Sequence, residues 1–130
     1  MKTACEQYIE KTLLLGQIPS FHEMNQIAQN RFIRELPKIL PKEVKVNSSV
    51  VDEFFTHSIG HHIGLINHDI NSNKLIPGSV FTIEPGLYFI PSRTTIQIDS
   101  NLFNLGGIRL EDMYYITPNM EFVCLNCDIK

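Results

Sequence analysis

The stretch Phe55-Thr56-His57-Ser58-Ile59-Gly60-His61-His62-Ile63-Gly64-Leu65-Ile66-Asn67-His68-Asp69 holds four of the chain's five histidines. Imidazoles this dense among glycines and branched aliphatics set metal-binding and proton-transfer groups on an otherwise apolar segment. Gly60 and Gly64 argue against a long helix here, and the Ile, Val, Phe and Tyr residues that recur further on favour strands. In an extended segment side chains alternate faces, so His57 and His61 point one way and His62 the other. Only one of the adjacent histidines can face a site. A helical i, i+4 pair would also bring His57 and His61 together, but the zincin pattern needs a glutamate where Ser58 stands.

Downstream, Pro77-Gly78 reads as a turn. Residues 80–83 and 87–90 read as apolar strands interrupted at Glu84-Pro85-Gly86, with further strands over 108–116 and 121–125 and a polar loop over 92–104. Upstream, Thr3-Ala4-Cys5-Glu6 fits a capping box that opens a helix running to Gly16. Ser20-Phe21-His22-Glu23 repeats the signature, and Met24, Ile27, Ala28, Phe32 and Leu36 line one face of a second helix up to Pro37. Residues 37–49 read as a connection or a short edge strand without chemistry. Helices followed by strands predict an α+β layer architecture in a single domain over residues 1–130, helical over 1–36 and mainly sheet over 50–126, with the site in the sheet part.

The 130 residues suffice to bury about two-thirds of the surface that the unfolded chain exposes. A formal charge of -3, from 11 basic and 14 acidic residues with no Lys/Arg run, gives no electrostatic footprint for nucleic acid or an anionic membrane. No apolar run reaches the length of a membrane span, and the first residues lack a signal-peptide pattern, so the expected location is cytoplasmic. Cys124-Leu125-Asn126-Cys127 would need a second ligand pair to suggest zinc, and Cys5, Cys124 and Cys127 read as reduced thiols.

Glu84 ends an apolar run and Glu111 shares a face with Arg109, so both carboxylates are expected near the interior, where each needs a partner. Arg109 alone neutralises one of them. A metal ion held by His61, Glu84 and Glu111 would satisfy both at once.

At these residues the chain resembles the C-terminal part of the pita-bread metallopeptidases. The resemblance rests on residues 57–69, on residues 75–88 with Thr82-Ile83-Glu84-Pro85-Gly86-Leu87-Tyr88, and on Gly107-Ile108-Arg109-Leu110-Glu111-Asp112, and it is nearest to Xaa-Pro aminopeptidases and prolidases. It implies a partial pita-bread (creatinase/aminopeptidase-like) α+β fold, with two N-terminal helices followed by a mainly antiparallel curved sheet. It further implies a hydrolase in which His61, Glu84 and Glu111 are metal ligands, Glu84 also moves protons, His57 and His68 contact substrate, and Arg109 orients carboxylates. The implied cofactor is a divalent metal, manganese first, with zinc or cobalt as alternatives. Family members carry two further aspartate ligands on strands that precede the first helix, and no residue of this chain stands in their place. The resemblance therefore implies an incomplete dinuclear site with one ion per chain. The alternatives are an inactive pseudoenzyme that binds peptide or protein, or a fragment that needs a separate N-terminal portion. The expected partners are a peptide substrate or ligand, and a second copy or a complementary N-terminal fragment.

Overall fold

The structure, a computed structural model, describes residues 1–66 and 71–127. Helix α1, Lys2–Leu14, buries Cys5, Ile9 and Leu13, one residue per turn. It stops in a Schellman motif: Gly16, at φ +68, donates to the Leu13 carbonyl at 2.8 Å and Gln17 donates to Thr12 at 3.0 Å. The expected Thr3 capping box is not formed. The helix begins two residues earlier, on Met1 without a side-chain cap, and Lys2 reaches out of it to the buried carboxylate of Asp112.

Helix α2, Phe21–Glu35, does carry its cap, with the Ser20 hydroxyl accepting from the Glu23 amide and donating to the Glu23 carboxylate. Its buried Phe21, Met24, Ala28 and Phe32 pack against α1 and the sheet. A 3-10 turn, Leu36–Lys38, follows at Pro37. The connection expected over 37–49 ends in a further helix, α3, Ser48–Phe54, capped by the Asn47 side chain on the Val50 amide. α4, Ser100–Leu105, likewise replaces part of the expected loop. Both are too short to show a period, and α4 buries no residue that a hydrophobic pattern could reveal.

Strands β1, Val80–Ile83, β4, Asp112–Ile116, and β5, Phe122–Cys124, form one antiparallel sheet in the order β1-β4-β5. β2, Gly86–Tyr88, and β3, Gly107–Arg109, form an antiparallel ribbon. The strand expected over 108–116 is thus two strands in two sheets, and the one expected over 87–90 lies slightly earlier. The register nevertheless runs through both sheets. Ile83 faces Asp112 and Gly86 faces Arg109, so counting across the gap sets Glu84 opposite Glu111. Like charges directly opposite destabilise a ladder, and Pro85 has no N–H to donate, so between the two sheets the pairing thins to the Leu110 amide donating to the Pro85 carbonyl at 3.0 Å.

The core lies on one side of β1 and β4. Phe81, Tyr114 and Phe122 stack on one another, with Ile83 and Ile116 beside them and α1 and α2 covering them. Burial and a hydrogen bond to Glu6 raise the Tyr114 hydroxyl well above the ordinary tyrosine range. The two cysteines read as free thiols, Cys124 and Cys127, are joined in a disulfide, because the turn after β5 brings their Cα atoms to 5.7 Å. Among the described residues no helix is long and apolar enough to cross a membrane.

Candidate metal centre

Residues 59–63 of the histidine stretch lie along the side of β1 away from β4. Ile63 donates to Val80 at 2.8 Å, Thr82 to His61 at 2.9 Å and Glu84 to Ile59 at 2.7 Å, with His62 bridged to Phe81. This antiparallel pairing sets His61 opposite Thr82. A Cβ on Gly60 would overlap the Thr82 carbonyl, so the approach depends on glycine at that position.

Alternation along the pleat then assembles the site. Thr82 and Glu84 share one face of β1, His61 joins them from one side, and Glu111, Arg109 and Tyr88 fall on the continuation of that face. His62 points the other way, edge-on to Phe21, and is buried. Its Nε2 has no hydrogen-bond partner among the described residues. The expectation that only one of the two histidines faces the site agrees with this placement.

His61 Nε2 lies 3.3 Å from Glu84 Oε1, and His61, Glu84 and Glu111 each offer a donor atom within 4.8 Å of the others. The His61 ring bonds through Nδ1 to the His62 carbonyl at 2.8 Å. A carbonyl only accepts, so Nδ1 carries a proton and Nε2 is the ring atom turned to the carboxylate. Metal-ligating histidines are oriented by this kind of carbonyl bond. An imidazole nitrogen and two carboxylates converging on one point make a donor set that a divalent cation fits. Donors around such an ion stand about 3 to 4 Å apart, so the trio needs only a small side-chain closure to hold one.

Glu84 is fixed at both oxygens. The Thr82 hydroxyl donates to Oε1 at 3.1 Å, and Arg109 approaches Oε2 at 3.4 Å. Glu84 is 6% exposed, as expected of an interior carboxylate. Glu111 and Arg109 are instead exposed, because the face of the ribbon beside them is uncovered.

His57 stands further along the same face, joined to Arg109 through a residue to which the sequence reading assigned no role. Arg109 Nε donates to the Tyr88 hydroxyl at 2.7 Å, and that hydroxyl is 2.8 Å from His57 Nε2. His57 Nδ1 bonds to the Ser58 carbonyl at 2.7 Å, which leaves Nε2 to accept from Tyr88. The hydrogen bond to Tyr88 also raises the Arg109 pKa above its ordinary value. Spacing was the available signal: Tyr88 is two positions beyond Gly86 and four beyond Glu84, on the site face of a strand. His68, the remaining histidine expected to contact substrate, lies outside the described residues.

A probable Xaa-Pro aminopeptidase of Aspergillus niger is 32% identical over 94 residues, which cover 49% of this chain and 20% of that protein. An Xaa-Pro dipeptidase of Pseudoalteromonas translucida is 33% identical over 122 residues, covering 68% and 28%. The chain thus spans about a fifth to a quarter of the length of the curated relatives it matches. Among solved structures, proline aminopeptidase P II from Yersinia pestis superposes with a TM-score of 0.66 at 24% identity, over 87% of this chain and 27% of that one. The fold is accordingly the pita-bread α+β fold in part. The profile of metallopeptidase family M24 matches residues 1–118, and this chain belongs to that family.

Proposed function

We propose that the chain is the metal-binding part of an Xaa-Pro aminopeptidase-like hydrolase, with His61, Glu84 and Glu111 holding one divalent ion, manganese by preference over zinc or cobalt. The observation that carries this reading is the convergence of His61 Nε2 on Glu84 Oε1, with Glu111 set opposite Glu84 by the sheet register. A bound divalent cation supplies Lewis acidity and a water nucleophile at near-neutral pH. With an ion held there, Glu84 would be the proton acceptor, since Thr82 and Arg109 fix its two oxygens. His57, oriented by Tyr88 and Ser58, presents an imidazole to the substrate side, and His68 shares that role. Residues 1–130 act as one partial catalytic domain, helical over 1–36 and bearing the site in the sheet over 50–126, in a cytoplasmic protein whose substrate is a peptide with proline in second place.

A second reading, that the site works only with a complementary N-terminal portion, is favoured by the uncovered ribbon. Ile108 and Leu110 are 62% and 57% exposed, and with Leu87 and Phe32 they line a mostly apolar hollow of ≈ 410 Å³. Two carboxylates and one imidazole also balance one divalent ion and not two. A pseudoenzyme that binds peptide without cleaving it has the same surface.

Calorimetric titration of manganese into the metal-free chain tests the reading. One ion per chain, lost in both Glu84→Gln and Glu111→Gln, is the expected result. Binding that survives both substitutions overturns the site. Metal-dependent cleavage of an Xaa-Pro peptide that disappears in Glu84→Gln makes the chain an enzyme, and metal binding without cleavage favours the incomplete or inactive forms.

A further inference from the structure

The disulfide between Cys124 and Cys127 has no part in the site described above. Cys124 ends β5 and Cys127 follows three residues on, so the bridge closes a very short ring. The chain-entropy gain of a cross-link grows with loop length, which leaves this one little value as a staple. In a reducing compartment a bridge of this kind is a sensing or catalytic couple.

What the ring encloses is specific. Leu125 donates to the Met113 carbonyl at 2.8 Å, and the Asn126 side-chain oxygen accepts from the Met113 amide at 2.9 Å. Both backbone polar groups of Met113 are therefore held by the two residues between the cysteines, on the strand that begins at Asp112 beside Glu111. Cys124 Sγ lies 3.9 Å from the same Asn126 oxygen. Once the bridge is reduced, no covalent bond holds Leu125 and Asn126 in this turn, and the sulfur gains an S–H that the same oxygen can also accept.

Cys124 is half-buried and lines a hollow of ≈ 400 Å³ beside α1, together with Glu6, Glu10 and Tyr114. Of the two carboxylates, Glu6 lies 3.8 Å from the Lys2 ammonium and accepts from Tyr114, so Glu10 is the charge that repels an anionic reagent and not a neutral or cationic one.

We propose that Cys124–Cys127 is a thiol–disulfide exchange site, reduced through this hollow by neutral or cationic thiols, and that its oxidised form clamps the beginning of β4 at Met113. The incoming thiolate attacks Cys124 Sγ, the S–S bond breaks, and Cys127 leaves as a thiolate that takes a proton. A second thiol then attacks the mixed disulfide, releasing the reagent as its own disulfide and Cys124 as a thiol. Two electrons pass from two reagent thiols to the bridge.

The experiment uses the oxidised chain, with cysteamine and 3-mercaptopropionate at matched thiolate concentration and low ionic strength, each rate divided by the same thiolate's rate with a small neutral disulfide such as hydroxyethyl disulfide. Thiols are trapped by alkylation and counted by mass. Cysteamine should reduce the bridge about threefold faster or more, with the difference shrinking in salt and in Glu10→Gln. Amide hydrogen exchange then compares the two forms, and reduction should speed exchange at Met113 and Leu125 about tenfold while Ile83 in β1 stays as it was. Cys127→Ser should show the fast exchange whatever the redox conditions. Equal rates with the two reagents, reduction only on global unfolding, or unchanged exchange at Met113 would each overturn the proposal. None of these readouts involves the metal, so the outcome stands apart from the peptidase reading.

Discussion

β1 and β4 carry Phe81, Ile83, Tyr114 and Ile116 into a core closed by α1 and α2, whereas β2 and β3, a few residues further along the same register, leave Ile108 and Leu110 in solvent. The candidate site crosses from one region to the other. His61, Thr82 and Glu84 belong to the buried part, Arg109 to the exposed ribbon, and Glu111 to the exposed link that leads from the ribbon into β4. One half of the donor set is therefore held by a packed scaffold, and the other by two short strands whose pairing among the described residues is with each other. Preorganisation of a metal site follows from packing behind its ligands, so the buried half should set affinity and the ribbon should adapt to the ion.

The contrast is broken most severely from the core. Phe81→Ala should cost about 3 to 5 kcal/mol in urea unfolding, because its ring meets Phe21, Tyr114 and Phe122 and the cavity cannot close. Alkaline pH acts on the same region. Burial raises the buried Cys5 thiol from 9.0 to about 11, so the folded chain keeps that proton longer than the unfolded one does. Stability is then fully present below about pH 9 and falls as pH rises towards about 11, and chemical denaturation across that window should be flatter in Cys5→Ala.

Gly60→Ala comes next, since a Cβ there meets the Thr82 backbone carbonyl. A loss of about 1 to 3 kcal/mol, with weakened metal binding through displacement of His61, is expected from thermal melts and titration. Tyr88→Phe removes the hydroxyl between Arg109 and His57 and should cost about 1 kcal/mol or less in unfolding, while moving the ring NMR signals of His57. Ile108→Ala, in the uncovered ribbon, should stay within about 0.5 kcal/mol of the parent chain. A much larger loss at Ile108 would mean that the ribbon is covered in solution and that the two regions do not differ as described.

Local patterns carried a large part of the fold. The Ser20 cap, the end of α1 at Gly16 and β1 over Val80–Ile83 stand where the sequence puts them, because each is fixed by neighbours a few residues away. The split of 108–116 into β3 and β4 had a weak local signal, the adjacent carboxylates Glu111 and Asp112 that interrupt the alternation, within an otherwise strand-like run. What breaks it is the meeting with Glu84-Pro85, a contact between segments far apart in the chain. The convergence of His61, Glu84 and Glu111 was readable as a set of residue types, but the reason they meet is a register that only the paired sheet reveals. The expectation of an interior Glu111 rested on alternation along its strand, and alternation assigns a face without saying whether anything covers it.

The glycine at position 60 has a further consequence, which concerns spelling. With two histidines side by side, a one-residue misalignment against β1 would still bring an imidazole to the site face, and the error would pass unnoticed by the chemistry. The slot beside the Thr82 carbonyl prevents it, because a slip in one direction delivers Ile59 to that slot and a slip in the other delivers His61, and neither can shed its Cβ. Gly60 thus works as a proofreading mark for the strand beside it: of the alignments that offer a histidine to Glu84, it admits the one that offers His61.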